Sequence, residues 1–116
     1  MVRLILRHIS GSRAAEIEIV PFGAHQEIVL GRAASAAVRF DPRRDPGVGR
    51  YHARITPGDG EAELVLTDLG SRNGTWINRE RVSAPVILRS GDIVGLGRSG
   101  PEFQVLVSRD DASFGV

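Results

Sequence analysis

Short apolar runs separated by turn residues constrain the fold of this chain more than any other feature. Within residues 16–20, the first four alternate between polar and apolar side chains, which is typical of a half-buried strand. No segment keeps a helical period over about ten residues. The pattern therefore predicts an all-β chain, either an antiparallel β-sandwich or a barrel. We expect about eleven short strands, at residues 2–9, 16–20, 26–30, 37–40, 51–56, 61–67, 75–78, 81–83, 86–88, 93–96 and 102–107.

Length and charge limit the classes of protein that the chain can represent. Its 116 residues suffice for one domain, which we expect at residues 1–108, with a polar tail or the start of a linker at residues 109–116. The net charge of +1 provides no overall field that would attract nucleic acid. The apolar start at residues 2–6 is too short to span a membrane. We therefore expect a cytoplasmic protein that binds neither nucleic acid nor membrane, and the oligomeric state stays open.

Residue types associated with catalysis and metal binding are scarce. The chain has no cysteine, which excludes disulfides and thiolate metal sites. Its three histidines, His8, His25 and His52, lack the spacing of a metal site. No P-loop or serine elbow is present either. We therefore predict that the domain is not an enzyme and holds no metal or cofactor.

Three predicted loops place hydrogen-bond donors beside glycine. One loop begins with Arg32 at the end of an apolar run, and a second contains Arg50 just before another run. The third loop, within residues 68–78, contains the dipeptide Asn73-Gly74, and Asn-Gly between apolar runs is the strongest short-range hairpin signal. Arginine forks suit anions such as phosphate. The loops together predict a site for an anion carried on a peptide.

The motifs in these loops resemble those of the forkhead-associated (FHA) domain. The resemblance rests on Gly-Arg at 31–32, Arg-Tyr-His-Ala at 50–53, Asp-Leu-Gly-Ser-Arg-Asn-Gly-Thr at 68–75, and Leu-Arg-Ser-Gly-Asp-Ile-Val-Gly-Leu-Gly at 88–97. It implies an eleven-stranded, FHA/SMAD-like antiparallel β-sandwich with functional loops at one end. It also implies a protein-interaction module of signalling or regulation that binds phosphothreonine in a partner protein or peptide.

The resemblance also implies roles for individual residues. Arg32 matches the phosphate-binding arginine, and Arg50 matches a residue that reaches the phosphate or the peptide backbone. Arg72 holds a position that often contacts phosphate or ligand, and Asn73 matches the asparagine that bonds the peptide main chain. The positions that shape these loops are Gly31, His52 and Gly74.

One residue departs from the family motif. The second motif normally begins with a serine whose hydroxyl bonds the phosphate, and Gly49 stands there. A hydrogen bond to a charged group contributes about 1.5–3 kcal/mol, so its loss corresponds to a roughly ten- to hundredfold weaker affinity. Gly49 keeps its own N–H group and permits close approach of an anion. Because the serine hydroxyl is missing, the alternative function is a phosphate-independent interaction or assembly module on the same fold.

Overall fold

Eleven β-strands make up the secondary structure of the computed structural model, which describes residues 2–22, 26–60 and 63–109. No helix occurs among those residues. The strands are β1 (Val2–His8), β2 (Ile17–Phe22), β3 (Ile28–Gly31), β4 (Val38–Arg39), β5 (Ala53–Pro57), β6 (Leu64–Asp68), β7 (Thr75–Ile77), β8 (Glu80–Arg81), β9 (Val86–Leu88), β10 (Ile93–Leu96) and β11 (Glu102–Arg109).

The strands form two sheets that enclose one apolar core. The six-stranded sheet has the order β2-β1-β11-β10-β7-β8, and the five-stranded sheet has the order β4-β3-β5-β6-β9. Leu4 and Leu6 of β1 are fully buried, as the two-residue period of a strand requires for one inward face. Ile55 and Leu66 supply the same inward pattern from the second sheet.

The strand register brings three loops to one end of the sandwich. β5 runs antiparallel to both β3 and β6, and Ala53 at its start faces Leu30 on one side and Asp68 on the other. The ends of β3 and β6 therefore lie beside the start of β5. This places the β3–β4 loop (residues 32–37), the β4–β5 loop (residues 40–52) and the β6–β7 loop (residues 69–74) together.

The predicted all-β sandwich is confirmed, with small shifts in strand bounds and one unexpected pairing. β3 and β4 pair in parallel, with Leu30 opposite Val38, in an otherwise antiparallel arrangement. A strand as short as β4 shows no alternation that could predict its direction. The strand expected to begin at residue 61 is described only from Leu64, because residues 61–62 lie outside the described residues.

The chain end is described only in part. β11 continues to Arg109, one residue past the expected domain boundary. Residues 110–116 lie outside the described residues. The division into a domain at 1–108 and a tail at 109–116 therefore stays a prediction.

Candidate functional site

Arg32 directly follows β3 and is held by the backbone of the β4–β5 loop. Its own N–H donates to the carbonyl of Gly49 at 3.0 Å, and the next N–H, of Ala33, donates to Arg50 at the same distance. Its side-chain Nε also donates to the carbonyl of Val48. The terminal nitrogens of the guanidinium make no hydrogen bond or ion pair within residues 2–22, 26–60 and 63–109. The residue is half-buried.

Gly31 permits the close approach of these two loops. A Cβ atom at this position would lie 2.1 Å from the carbonyl oxygen of Arg50, far inside any real contact. Its carbonyl accepts a bond from Phe40 N at 2.9 Å. Glycine is therefore required for the β3 end to meet the β4–β5 loop, a scaffold position like the one implied by the family motif.

His52 is fully buried and links two loops through its ring. The N–H of Gly49 donates to its Nδ1 at 2.9 Å, so Nδ1 must be unprotonated. Its Nε2 lies 2.8 Å from the carbonyl of Gly74 and therefore carries the proton that it donates. The backbone N–H of His52 also donates to Leu30, and its carbonyl accepts from Leu69. The ring thus fixes the β4–β5 loop against the end of the β6–β7 loop in one tautomer.

Burial lowers the pKa of His52 below its ordinary value, although the bond to Gly74 and the carboxylate of Asp68 both raise it. The neutral ring therefore predominates at neutral pH. That state is the one that the Gly49 N–H requires. The lowered pKa and the hydrogen-bond geometry thus both indicate a neutral ring at neutral pH.

Asn73 lies at the tip of the β6–β7 loop and faces the β4–β5 loop. Its Nδ2 donates to the carbonyl of Gly47 at 2.9 Å, which leaves the side-chain oxygen for another donor. Gly74 follows with φ +83°, in the left-handed region that favours glycine. Its carbonyl accepts from the N–H of Gly97 as well as from His52. The turn is thereby tied to the β4–β5 loop at two points and to Gly97, which directly follows β10.

Asp68 organises the β6–β7 loop from its first turn. Its carboxylate accepts from the N–H groups of Gly70 and Ser71 at 3.1 Å, from Ser71 Oγ at 2.5 Å and from Thr75 Oγ1 at 2.6 Å. Burial raises the pKa of Asp68, but the bonds from Ser71 and Thr75 outweigh it and the pKa lies below its ordinary value. The carboxylate is therefore ionised at neutral pH, and both of its oxygens accept hydrogen bonds from the loop and from Thr75.

The remaining predicted site residues differ in how close they lie to Arg32. Gly49 and Arg50 belong to the backbone that holds Arg32, and the Arg50 side chain is exposed. Arg72 is exposed on the β6–β7 loop, next to Asn73, and its side chain makes no hydrogen bond or ion pair within the described part of the chain. The structure brings Arg32, Gly49, Arg50 and Asn73 to adjoining loops, and Arg72 to the same end.

A cleft of about 490 Å³ opens beside Asn73. It lies between the β4–β5 loop and the β10–β11 loop (residues 97–101), with the exposed side chains of Arg44 and Arg98 at its walls. Pro46 and Pro101 contribute apolar surface.

No group of His, Asp or Glu side chains in residues 2–22, 26–60 and 63–109 could hold a metal ion. In the same residues no helix is long and apolar enough to cross a membrane.

The class of protein follows from the fold and from its sequence relatives. A family model of the FHA domain matches residues 28–97, which is more than half of the chain. The chain therefore belongs to the FHA domain family, as its motifs predicted. A solved structure from a study of phosphothreonine-dependent FHA domain interactions matches with a TM-score of 0.72 and 30% identity, over 92% of this chain and 98% of that one.

Two curated bacterial relatives are regulators by name. The oxoglutarate dehydrogenase inhibitor of Corynebacterium glutamicum is 43% identical over 54 residues, which are 47% of this chain and 36% of the relative. The glycogen accumulation regulator GarA of Mycolicibacterium smegmatis is 40% identical over 68 residues, 59% of this chain and 41% of the relative. The matches thus span less than half the length of either relative.

Sequence reasoning did not identify several residues that shape the site. The carbonyls of Gly47 and Val48, which hold Asn73 and Arg32, have no sequence signature because every residue carries a carbonyl. Asp45, which anchors their loop, looks like an ordinary turn aspartate. Asp68 could have been found, since an aspartate followed by Gly and Ser is typical of a side-chain-capped turn.

Proposed function

We propose that this domain binds a phosphothreonine-containing segment of a partner protein at the end formed by the β3–β4, β4–β5 and β6–β7 loops. One observation carries the proposal: Arg32 and Asn73 both bond the carbonyls of the same short segment, at Val48 and Gly47. A guanidinium and an amide are thereby held side by side on different loops. A phosphothreonine needs such a pair, because it presents a dianion beside an extended main chain.

Each residue has a chemical task in this proposal. The Arg32 guanidinium donates to the phosphate oxygens, and Arg50 adds a second positive charge from the exposed side. The missing side chain at Gly49 leaves room for the anion to approach this loop, but the Gly49 N–H expected to meet the anion is engaged by His52 Nδ1. Asn73 bonds the peptide main chain through its amide, and Arg72 contacts the ligand from the outer side of the β6–β7 loop.

The relatives support a regulatory and non-enzymatic role for this site. The two curated relatives are named as an inhibitor and as a regulator. We therefore propose that the domain acts within a signalling or regulatory protein and is not itself a catalyst.

A second function remains open because of Gly49. Without a hydroxyl at this position the phosphate loses one donor, and the same loops could hold an unphosphorylated partner as an assembly module. Titration with a phosphorylated peptide and its unphosphorylated counterpart separates the two functions. A preference for the phosphorylated peptide supports phosphothreonine binding, and equal affinity supports the assembly module.

Replacement of Arg32 provides the direct test of the site. Arg32→Ala is expected to abolish measurable binding of a phosphothreonine peptide in isothermal titration calorimetry, because the principal counter-charge is lost. Tm should fall by no more than a few degrees, since only a half-buried contact with Val48 disappears. Retained affinity would remove Arg32 from the site.

Arg89→Ala is the matched control. Arg89 is an exposed arginine that follows Leu88, which pairs with Leu64 at the start of β6. It therefore lies at the opposite end of the sandwich. Its replacement should leave both affinity and Tm unchanged.

A further inference from the structure

Ser12 and Asp45 join two loops that are 33 residues apart in the sequence. Ser12 lies in the β1–β2 turn (residues 9–16), and Asp45 lies in the β4–β5 loop. The backbone N–H of Ser12 donates to Asp45 Oδ1 at 3.0 Å, and its hydroxyl donates to Oδ2. The two carboxylate oxygens are thus each engaged by the same residue.

Asp45 is a buried carboxylate, with only 4% of its surface exposed. Within residues 2–22, 26–60 and 63–109, Ser12 supplies all hydrogen bonds to this carboxylate, and no ion pair reaches it. Burying a charged group is unfavourable unless it is hydrogen-bonded. The contact with Ser12 therefore determines whether Asp45 stays in this position.

Hydrogen bonds lead from Asp45 to both of the side chains that the proposed function uses. The N–H of Val48 donates to the carbonyl of Asp45 at 3.1 Å, which closes a tight turn. The carbonyl of Val48 accepts from Arg32 Nε, and the carbonyl of Gly47 accepts from Asn73 Nδ2. A displacement of Asp45 would move both carbonyls, and with them the guanidinium and the amide.

The β1–β2 turn is itself firmly seated against this loop. Gly11 has φ +90°, and a Cβ atom there would lie 2.5 Å from Pro101 Cβ and 3.0 Å from Asp45 Oδ1. Ser10 Oγ accepts from the N–H of Glu102 at 3.1 Å. The turn is therefore a fixed support for Asp45.

We propose that Ser12 and Asp45 are positioning residues for the phosphothreonine site, and this inference rests on the proposed function. Neither side chain needs to touch the peptide. Their contact sets the backbone at residues 45–48, and this backbone aims Arg32 and Asn73. The affinity for a phosphothreonine peptide thus depends on a hydroxyl in the distant β1–β2 turn.

Ser12→Ala tests the proposal with two measurements. It should weaken binding of a phosphothreonine peptide by about threefold to thirtyfold, the range seen for substitutions that act through a network. It should also shift the NMR signals of the Arg32 Nε–H and the Asn73 side-chain amide in the free protein. Ser12→Thr keeps the hydroxyl and should restore the affinity and both signals.

Ser90→Ala is the control serine variant, because the Ser90 hydroxyl also makes a hydrogen bond, which it accepts from the N–H of Val107 at 3.1 Å, but away from these loops. It should change neither the affinity nor the two signals. Unchanged affinity in Ser12→Ala would overturn the proposal. Weaker binding without a shift of the Arg32 and Asn73 NMR signals would also overturn it, since that result would indicate a general loss of stability.

The NMR measurement separates this inference from the proposed function. If the wild-type domain binds no phosphothreonine peptide, the proposed function fails. Shifted Arg32 and Asn73 signals in free Ser12→Ala would then still support positioning by Ser12. Unshifted signals in that variant would overturn it independently of any ligand.

Discussion

At the scale of single residues, Gly49 is the position where the proposed site departs from the family motif. The position lies between Val48, which holds Arg32, and the exposed Arg50. A Cβ atom added to Gly49 would lie 3.6 Å from His52 Nδ1, which is an ordinary van der Waals contact. The φ angle of Gly49 lies outside the left-handed region. The backbone therefore accepts a side chain, and glycine is not needed for the shape of the loop.

Gly49→Ser should tighten binding of a phosphothreonine peptide. The new hydroxyl would supply a charge-assisted hydrogen bond, and we expect an affinity increase of about tenfold. Calorimetry with the phosphorylated peptide measures the gain, and Gly49→Ala controls for the added carbon. A flat or reduced affinity in a folded Gly49→Ser variant would show that the missing hydroxyl does not limit binding.

His52 makes stability depend on pH. Its pKa in the folded protein is lowered, chiefly by burial, from the value of about 6.5 expected in the unfolded chain. Between these two values the unfolded chain binds more protons, so stability rises with pH. The contribution of His52 is complete above pH of about 6.5 and is lost as the pH falls through its lowered pKa.

Urea unfolding at several pH values between about 5 and 8 measures this dependence. The free energy of unfolding should fall toward the acidic end. His52→Asn removes the imidazole, so this variant should show a shallower dependence on pH. Identical slopes for the two proteins would contradict the assignment.

At the scale of elements, the site depends on a close contact between the end of β3 and the β4–β5 loop. Gly31→Ala would force its Cβ against the carbonyl of Arg50. We expect a loss of about 1–3 kcal/mol in the free energy of unfolding, as for other overpacked sites, together with weaker peptide binding. Urea unfolding and calorimetry measure the two effects, and Gly49→Ala, with room for its Cβ, is the comparison. Wild-type stability in Gly31→Ala would mean that the loop yields without cost.

Strand identity was largely predictable from sequence, but the contacts between loops were not. The alternation of Ile17, Ile19 and their polar neighbours predicts the strand β2 correctly but not its buried face. Both isoleucines are exposed, and Val20 and Phe22 form the buried face instead. The contact of Ser12 with Asp45 joins distant segments and leaves no local pattern. The family motif led to Arg32 and Asn73, whereas the carbonyls that aim them became visible only in the fold.

At the scale of the whole molecule, the net charge of +1 conceals an uneven distribution. The site loops and the β10–β11 loop carry several arginines at one end of the sandwich. The aspartates there, Asp41, Asp45 and Asp68, accept hydrogen bonds from their own loops or from the β1–β2 turn. These aspartates keep their negative charges, but six arginines outnumber the three of them, so a net positive charge is left at this end. These arginines are Arg32, Arg43, Arg44, Arg50, Arg72 and Arg98.

Peptide binding should consequently weaken as salt is added. Screening over about 8 Å at physiological ionic strength reduces the attraction between exposed arginines and a phosphate. We expect the dissociation constant to increase by about tenfold between low and high salt. Titrations at several salt concentrations measure this slope, and Arg72→Gln should flatten it. An affinity independent of salt would contradict an electrostatic site.

The backbone bonds around His52 have a consequence for how such a domain diversifies. Arg43, Arg44, Arg72 and Arg98 are exposed, and their side chains make none of the hydrogen bonds that shape the loops. These positions can be exchanged at little cost to folding. Selection, in nature or in the laboratory, could therefore change which partners are accepted while the hydrogen-bonded frame of the loops is left intact.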